Sequence, residues 1–285
     1  MYGLVAYHLG WRDASGTTTE AASGKMLRPA LLLTVAGGYE ATPAAVDAAV
    51  AVELLHAFSL VHDDIEDGDR ERHHRPTVWA LHGVPLAINA GDSLFALAHR
   101  TMIDAAASLA GARTAPAMRL FTDACLRMIE GQHEDISFER EATISRADYL
   151  RMTSGKTGAL LGASLALGAL FGGAPDADCE QLRAAGVDLG VAFQAVDDGL
   201  AVWGDAARTG KAVGNDAERG KKSLPAVIAG ELRCEIASGE VRAGVEGVAG
   251  DHTQRALAAA RATSMSADAL GELEAFAAFM LAREA

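Results

Sequence analysis

Apolar and polar positions along this chain follow a helical period. Leucine and alanine recur at three- and four-residue spacing through 44–61, 86–109, 117–132, 149–170, 180–202 and 224–237, and each stretch predicts a helix. Alternating runs that would predict strands are absent, and β-branched residues rarely cluster. Chain breakers fall between the helical stretches, at 68–76, 83–85, 172–175 and 204–220. Thr42 and Pro43 read as a helix start, with Thr at the N-cap and Pro at the first helical position. There is no fixed-period repeat and no low-complexity linker. The pattern predicts an all-α protein, one domain over residues 1–285 built from long helices and a few functional loops.

One stretch tests that reading. Residues 157–175 carry no charge and approach the length of a membrane span. Their many Gly and Ala residues lower the hydropathy, so a buried bundle helix with closely approaching neighbours is the expectation, and no membrane span is expected. The opening MYGLVAYHLGWRD has no basic region followed by an apolar one, which is not the pattern of a secretory signal. Hydrophobic residues make up 50% of the 285 and charged residues 22%, which excludes a disordered chain. A formal charge of −13 argues against nucleic acid as a partner. An acidic chain still binds diphosphates where divalent cations sit between the anions. Three scattered cysteines form no CxxC pair, so a reducing, cytoplasmic setting without structural zinc is expected.

The chemistry concentrates in two acidic segments. In HAFSLVHDDIEDGDRERHHRPTV, Asp63 and Asp67 stand four apart at the end of an apolar helix. That spacing places both carboxylates on one face, about 6 Å apart along the axis. Hard oxygen donors there suit Mg²⁺, which takes its remaining ligands from water and substrate phosphates. A solvated acidic helix end is the plain alternative. In FQAVDDGLAVWG, Asp197 and Asp198 lie on a second apolar helix, where an acidic pair is costly unless it meets a cation. Arg72 follows the first pair; Lys211, Lys221 and Lys222 follow the second; Lys156 and Thr157 open another segment; Lys25 and Arg28 lie near the start. Cations beside a metal are what a diphosphate site needs, although each Lys taken alone is an ordinary surface residue.

Together these segments resemble the trans-isoprenyl diphosphate synthases, the polyprenyl synthetase family, and their wording is similar to an actinobacterial-type branch. The resemblance runs from Gly24 to about Pro225. It rests on GKMLRP, HAFSLVHDDIED, GQHED at 131–135, KTGAL from Lys156, FQAVDD, and TGKAVGNDAERGKKSLP, in the family's order. It implies the isoprenoid synthase fold, a helical bundle around a central cavity, and a homodimer. It also implies a Mg²⁺-dependent transfer between isopentenyl diphosphate and an allylic diphosphate. Asp63, Asp67 and Asp197 would hold metal. Arg72, Lys156 and Lys211 would take the departing negative charge, with Gln194, Thr157 and Lys221 also on the substrate. Lys25, Arg28, His56 and His73 would bind isopentenyl diphosphate. Asp64 and Asp198, which point off the ligand face by helical spacing, would act behind the metal-binding carboxylates. Phe58 and Ser59, just before the first acidic motif, would set product length at fifteen or twenty carbons. Proton removal would fall to released diphosphate.

The sequence departs from the family pattern at four places. Ala201 stands where the second motif has its third Asp, His73 where a second Arg is usual, and Met26 where GKRLRP has Arg. The N-terminal region is also short for the family. The first two departures keep a second reading open, a terpene synthase on the same fold that ionises a prenyl diphosphate without elongating it. A third is a non-catalytic partner subunit of a related synthase, against which the intact Asp63–Asp67 motif, Lys156, Gln194 and Lys211 argue. His8, His82, His99, His133 and His252 read as structural or surface residues, and Trp11, Trp79 and Trp203 as packing residues.

Overall fold

The computed structural model describes residues 1–19, 26–109, 111–204 and 221–282. Lys25 and Lys211, both assigned to substrate above, lie outside the described residues. The helices are α1 (Tyr2–His8), α2 (Leu27–Gly37), α3 (Ala44–Glu66), α4 (Val78–His82), α5 (Val84–Ala107), α6 (Thr114–Phe138), α7 (Arg146–Thr153), α8 (Ala159–Phe171), α9 (Asp176–Trp203), α10 (Leu224–Leu232), α11 (Gly239–Arg261) and α12 (Ala267–Leu281). Among the described residues the only strand pair is a short antiparallel hairpin, β1 (Glu71–Arg72) and β2 (Arg75–Pro76). The fold class is all-α, as the periodicity predicts.

Contacts group the chain into two compact units, Met1–Leu33 with Pro43–Met118, and Thr34–Thr42 with Arg119–Ala285. In the first, α3 packs along α5. Ala48, Val52, Leu55, Phe58 and Val61 of α3 are buried, as are Leu94, Ala98 and Met102 of α5, each at helical spacing. The ring of His62 lies over Gly91, where any Cβ would overlap it. α3 is long and apolar enough to cross a membrane by composition alone, and half of its apolar window is buried within the protein. It reads as a core helix.

In the second unit every residue of α8 is buried, the mark of a helix apolar on all sides. Small residues let it approach α9: a Cβ on Gly186 would come within 2.6 Å of the Gly162 Cα, and one on Gly190 would overlap the Gly158 Cα. The expected continuous helix over 149–170 is divided. Ser154–Gly158 forms a π-helical turn between α7 and α8, a distortion frequent at functional sites. Tyr149, Val191, Leu224, Ile228 and Val245 form a core joining α7, α9, α10 and α11.

The start of α3 differs from its sequence reading. Pro43 is the N-cap, and the Thr42 hydroxyl donates to the Phe171 carbonyl at 3.1 Å. Closing the end of α8 takes the hydroxyl that would otherwise cap α3. The C-terminal helices α11 and α12 follow alanine-rich stretches outside the six predicted segments.

Candidate active site

Asp63 lies in the last turn of α3 and Asp67 is its C-cap, still in right-handed geometry (φ −80°, ψ −13°). The four-residue spacing therefore keeps both on one face, and both are partly exposed. Asp64 points elsewhere: it is 2% exposed and accepts from Arg72 Nε at 2.7 Å. Arg72 Nη2 reaches Asp63 Oδ2 at 3.3 Å. Burial pushes the Asp64 carboxyl up to about 6, against the pull of Arg72. Burial also opposes the Arg72 charge, yet Asp64, Asp63 and Asp69 hold its pKa above the ordinary value.

The hairpin turns at His73 and His74, both left-handed (φ 51° and 59°), the backbone that a two-residue type I′ loop requires. His73 is exposed there. Deeper in the same unit, His56 faces Arg28, Arg72 and His8; burial first, and then Arg28 and Arg72, keep its pKa well below the usual value. Arg28 is drawn down to about 10 by burial, against Glu53. Its Nε is the one buried side-chain polar atom without a hydrogen-bond partner among the described residues. An unmatched guanidinium N–H beside an imidazole, with Arg72 also facing that imidazole, suits an anion. Phe58 is buried, its ring edge-on to Phe95 of α5 at 5.2 Å between centroids. The Ser59 hydroxyl is turned back onto the His56 carbonyl at 2.8 Å.

The second unit gathers Lys156, Thr157, Gln194, Asp197 and Asp198. Lys156 Nζ donates to Asp135 Oδ2 at 2.5 Å. Thr157 Oγ1 donates to Gln194 Oε1 at 3.1 Å, and Gln194 Nε2 to Asp198 Oδ1 at 2.8 Å. Asp198 Oδ2 accepts from Tyr149 at 2.7 Å and from the Leu224 backbone N–H at 2.7 Å. Burial raises the Asp198 pKa, with these donors opposing it. Burial and then Asp198 raise that of Tyr149 well above its ordinary range. By holding the first residue of α10, Asp198 supplies the helix-start acceptor that Ser223 does not. Asp197, the preceding residue, is partly exposed, as are Asp198 and Lys221. Ala201 is exposed one turn on and carries no carboxylate.

Among the described residues no three or more His, Cys, Asp or Glu side chains gather as a metal cage. The acidic donors come as the Asp63–Asp67 pair and as Asp197. Such a set fits Mg²⁺, which binds one or two carboxylates and completes its shell with water and phosphate oxygens. Residues beyond the sequence reading also enter. Asp135 was legible only as a letter of the GQHED element; Tyr149 and His8 carry no motif, because their partners are 49 or more residues away.

A polyprenyl synthetase family model matches residues 11–254. The chain is 45% identical over 226 residues to (2E,6E)-farnesyl diphosphate synthase of Mycobacterium tuberculosis H37Rv, which covers 79% of this chain and 62% of that protein. It is 44% identical over 240 residues to geranylgeranyl diphosphate synthase of the same strain, covering 82% and 67% respectively. The chain thus spans about three fifths to two thirds of the length of these relatives. The crystal structure of a polyprenyl synthetase from Streptomyces coelicolor A3(2) superposes with a TM-score of 0.82 at 36% identity, covering 98% of this chain and 91% of that one.

Proposed function

The chain belongs to the polyprenyl synthetase family, and from that premise we propose that it is a Mg²⁺-dependent prenyltransferase. It condenses isopentenyl diphosphate with an allylic diphosphate to give farnesyl or geranylgeranyl diphosphate, the products named for two of its relatives. The observation that supports this best is how the acidic pairs divide. In each pair one carboxylate is tied into protein contacts, Asp64 by Arg72 and Asp198 by Tyr149, Gln194 and Leu224. Asp63, which Arg72 also reaches, and Asp197 keep part of their surface exposed, as Asp198 does.

The barrier is charge separation as the allylic carbon–oxygen bond breaks and its electron pair leaves on diphosphate. Bound Mg²⁺ supplies Lewis-acid neutralisation of that leaving group. Asp63, Asp67 and Asp197 are the residues that would hold it. Arg72 and Lys156, with Lys211, add permanent positive charge, and Thr157, Gln194 and Lys221 orient the phosphates by hydrogen bonds. Arg28, His56 and His73, with Lys25, hold isopentenyl diphosphate so that its double bond attacks the allylic cation. The proton then lost passes to the released diphosphate. Phe58, with Ser59 beside it, limits the product.

We place this enzyme in the cytoplasm as a homodimer acting as one polyprenyl synthetase-like domain over residues 1–285, with no nucleic acid partner. Cys125, Cys179 and Cys234 form no disulfide. Ile88 and Ile103 on α5, and Leu126 and Ile129 on α6, expose apolar side chains that a second copy would cover. Ala201 favours one rival, an enzyme that ionises a prenyl diphosphate without elongating it. Incubation with Mg²⁺, isopentenyl diphosphate and each allylic diphosphate, with products analysed before and after phosphatase, separates the two. Elongated diphosphates are expected; hydrocarbon or alcohol products with isopentenyl diphosphate untouched would overturn the proposal.

A further inference from the structure

Helix α1 is fastened to the hairpin that presents Arg72 and His73. The Tyr7 hydroxyl donates to the Pro76 carbonyl at 2.7 Å. Arg75 Nη2 donates to the Tyr7 carbonyl at 3.1 Å and to the Arg12 carbonyl at 2.9 Å, and its guanidinium lies 4.4 Å from the centre of the Tyr7 ring. Tyr7 itself is buried. This latch fixes the last residue of α1, His8, toward the interior.

The groups facing His8 are Arg72, Arg75 and His73 from the hairpin and His56 and the Ala57 backbone from α3. Two of these are guanidiniums and two are imidazoles. Burial first, and then Arg72, Arg75 and His73, draw the His8 pKa down to about 4, so the imidazole is neutral at pH 7. Beyond His56 stands Arg28, whose buried Nε lacks a partner. Beside Arg72 and Arg75 the neutral ring is the favoured form until an anion arrives. A bound diphosphate would supply that charge and turn the imidazole into a charged donor.

We propose that α1 forms part of the acceptor-diphosphate site, with His8 as a further binding residue for the diphosphate of isopentenyl diphosphate and Tyr7 and Arg75 as the positioning residues that hold it there. This rests on the function proposed above and extends it to a segment outside the motifs of the family resemblance.

Two measurements test it. In steady-state kinetics, His8→Ala raises the KM for isopentenyl diphosphate roughly tenfold, the scale of one hydrogen bond to a charged group, with allylic KM and kcat within about twofold of wild type. Arg75→Ala and Tyr7→Phe, with His8 intact, shift the same constant in the same direction. In calorimetry without metal, where the acidic residues offer no cation bridge, inorganic pyrophosphate binds wild type more tightly than His8→Ala, with circular dichroism showing both folded. An unchanged acceptor KM together with equal pyrophosphate affinity, or an equal rise in both substrate KM values, overturns the role of His8. Should wild type consume no isopentenyl diphosphate, the proposed function fails, and the pyrophosphate comparison alone decides whether His8 belongs to an anion site.

Discussion

His8 shows how far a single side chain can depart from its sequence context. Read in the chain it is one unremarked histidine at the end of a seven-residue helix. In the fold it is a neutral imidazole beside Arg72, Arg75 and His73, with a pKa drawn down to about 4 by burial and then by those cations. The consequence for stability has a definite sign. The unfolded chain takes up a proton near pH 6.5, while the folded chain refuses it until near pH 4. Stability is therefore intact above pH 6.5 and falls as pH drops through that window, by on the order of 2 to 3 kcal/mol at its lower edge. His56 acts in the same direction. Urea melts at pH 7.0 and pH 4.5 should show a smaller loss for His8→Gln than for wild type; equal losses would mean that His8 titrates normally in the fold. The acidic residues were more legible. Helical spacing alone separates Asp63 from Asp64 and Asp197 from Asp198. What it does not reveal is what Asp64 and Asp198 turn toward, since Tyr149 stands 49 residues from its carboxylate.

Among the elements, the helices were read from apolar period, and their interruptions were not. The π turn at Ser154–Gly158 lies in a polar run, Thr153–Gly158, inside a stretch that the apolar period on either side predicts as one helix. Its cause is tertiary. Gly131 of α6 lies against the backbone of Lys156, where any Cβ would overlap the Lys156 nitrogen, and a Cβ on Gly155 would come within 2.8 Å of the Arg127 carbonyl. This close approach brings Asp135 within reach of the Lys156 ammonium. Gly131→Ala should therefore push α6 off the turn, costing about 1 to 3 kcal/mol or more of stability, and should cut kcat while the helical circular dichroism persists. Near-normal stability would show that the backbone yields cheaply. α3 carries a different prediction. Phe58 precedes Asp63 by five residues, roughly 7.5 Å along the helix, and packs edge-on against Phe95 of α5. A chain anchored at the acidic end and growing along α3 would meet that ring. Phe58→Ala should lengthen the products by at least one five-carbon unit at similar consumption of the allylic starter, read by chromatography of the dephosphorylated products. An unchanged product distribution would place the floor elsewhere.

For the molecule as a whole, fold class and family were legible because period, breakers and motif order are all local properties. The basic cluster around Arg28, His56 and His8 was only partly so, because it assembles from α1, α2, α3 and the hairpin. Net charge frames the remaining question. A chain at −13 repels a diphosphate at long range, so under the proposed function binding at the acidic residues would be conditional on a divalent cation, while the basic cluster would hold an anion without one. Thermal unfolding separates the two. Mg²⁺ alone or inorganic pyrophosphate alone should raise Tm only slightly. Both together, at about a hundredfold over the dissociation constant, should stabilise by about 2.7 kcal/mol, or on the order of 5 °C. The excess over the separate shifts belongs to the carboxylates. Asp63→Ala and Asp197→Ala should each abolish most of that excess and reduce turnover at least about a hundredfold, while keeping the small shift from pyrophosphate alone. A variant that retained the full cooperative shift would remove its residue from the metal-binding set. One that lost the pyrophosphate-only shift as well would show that the basic cluster and the acidic motif do not bind independently.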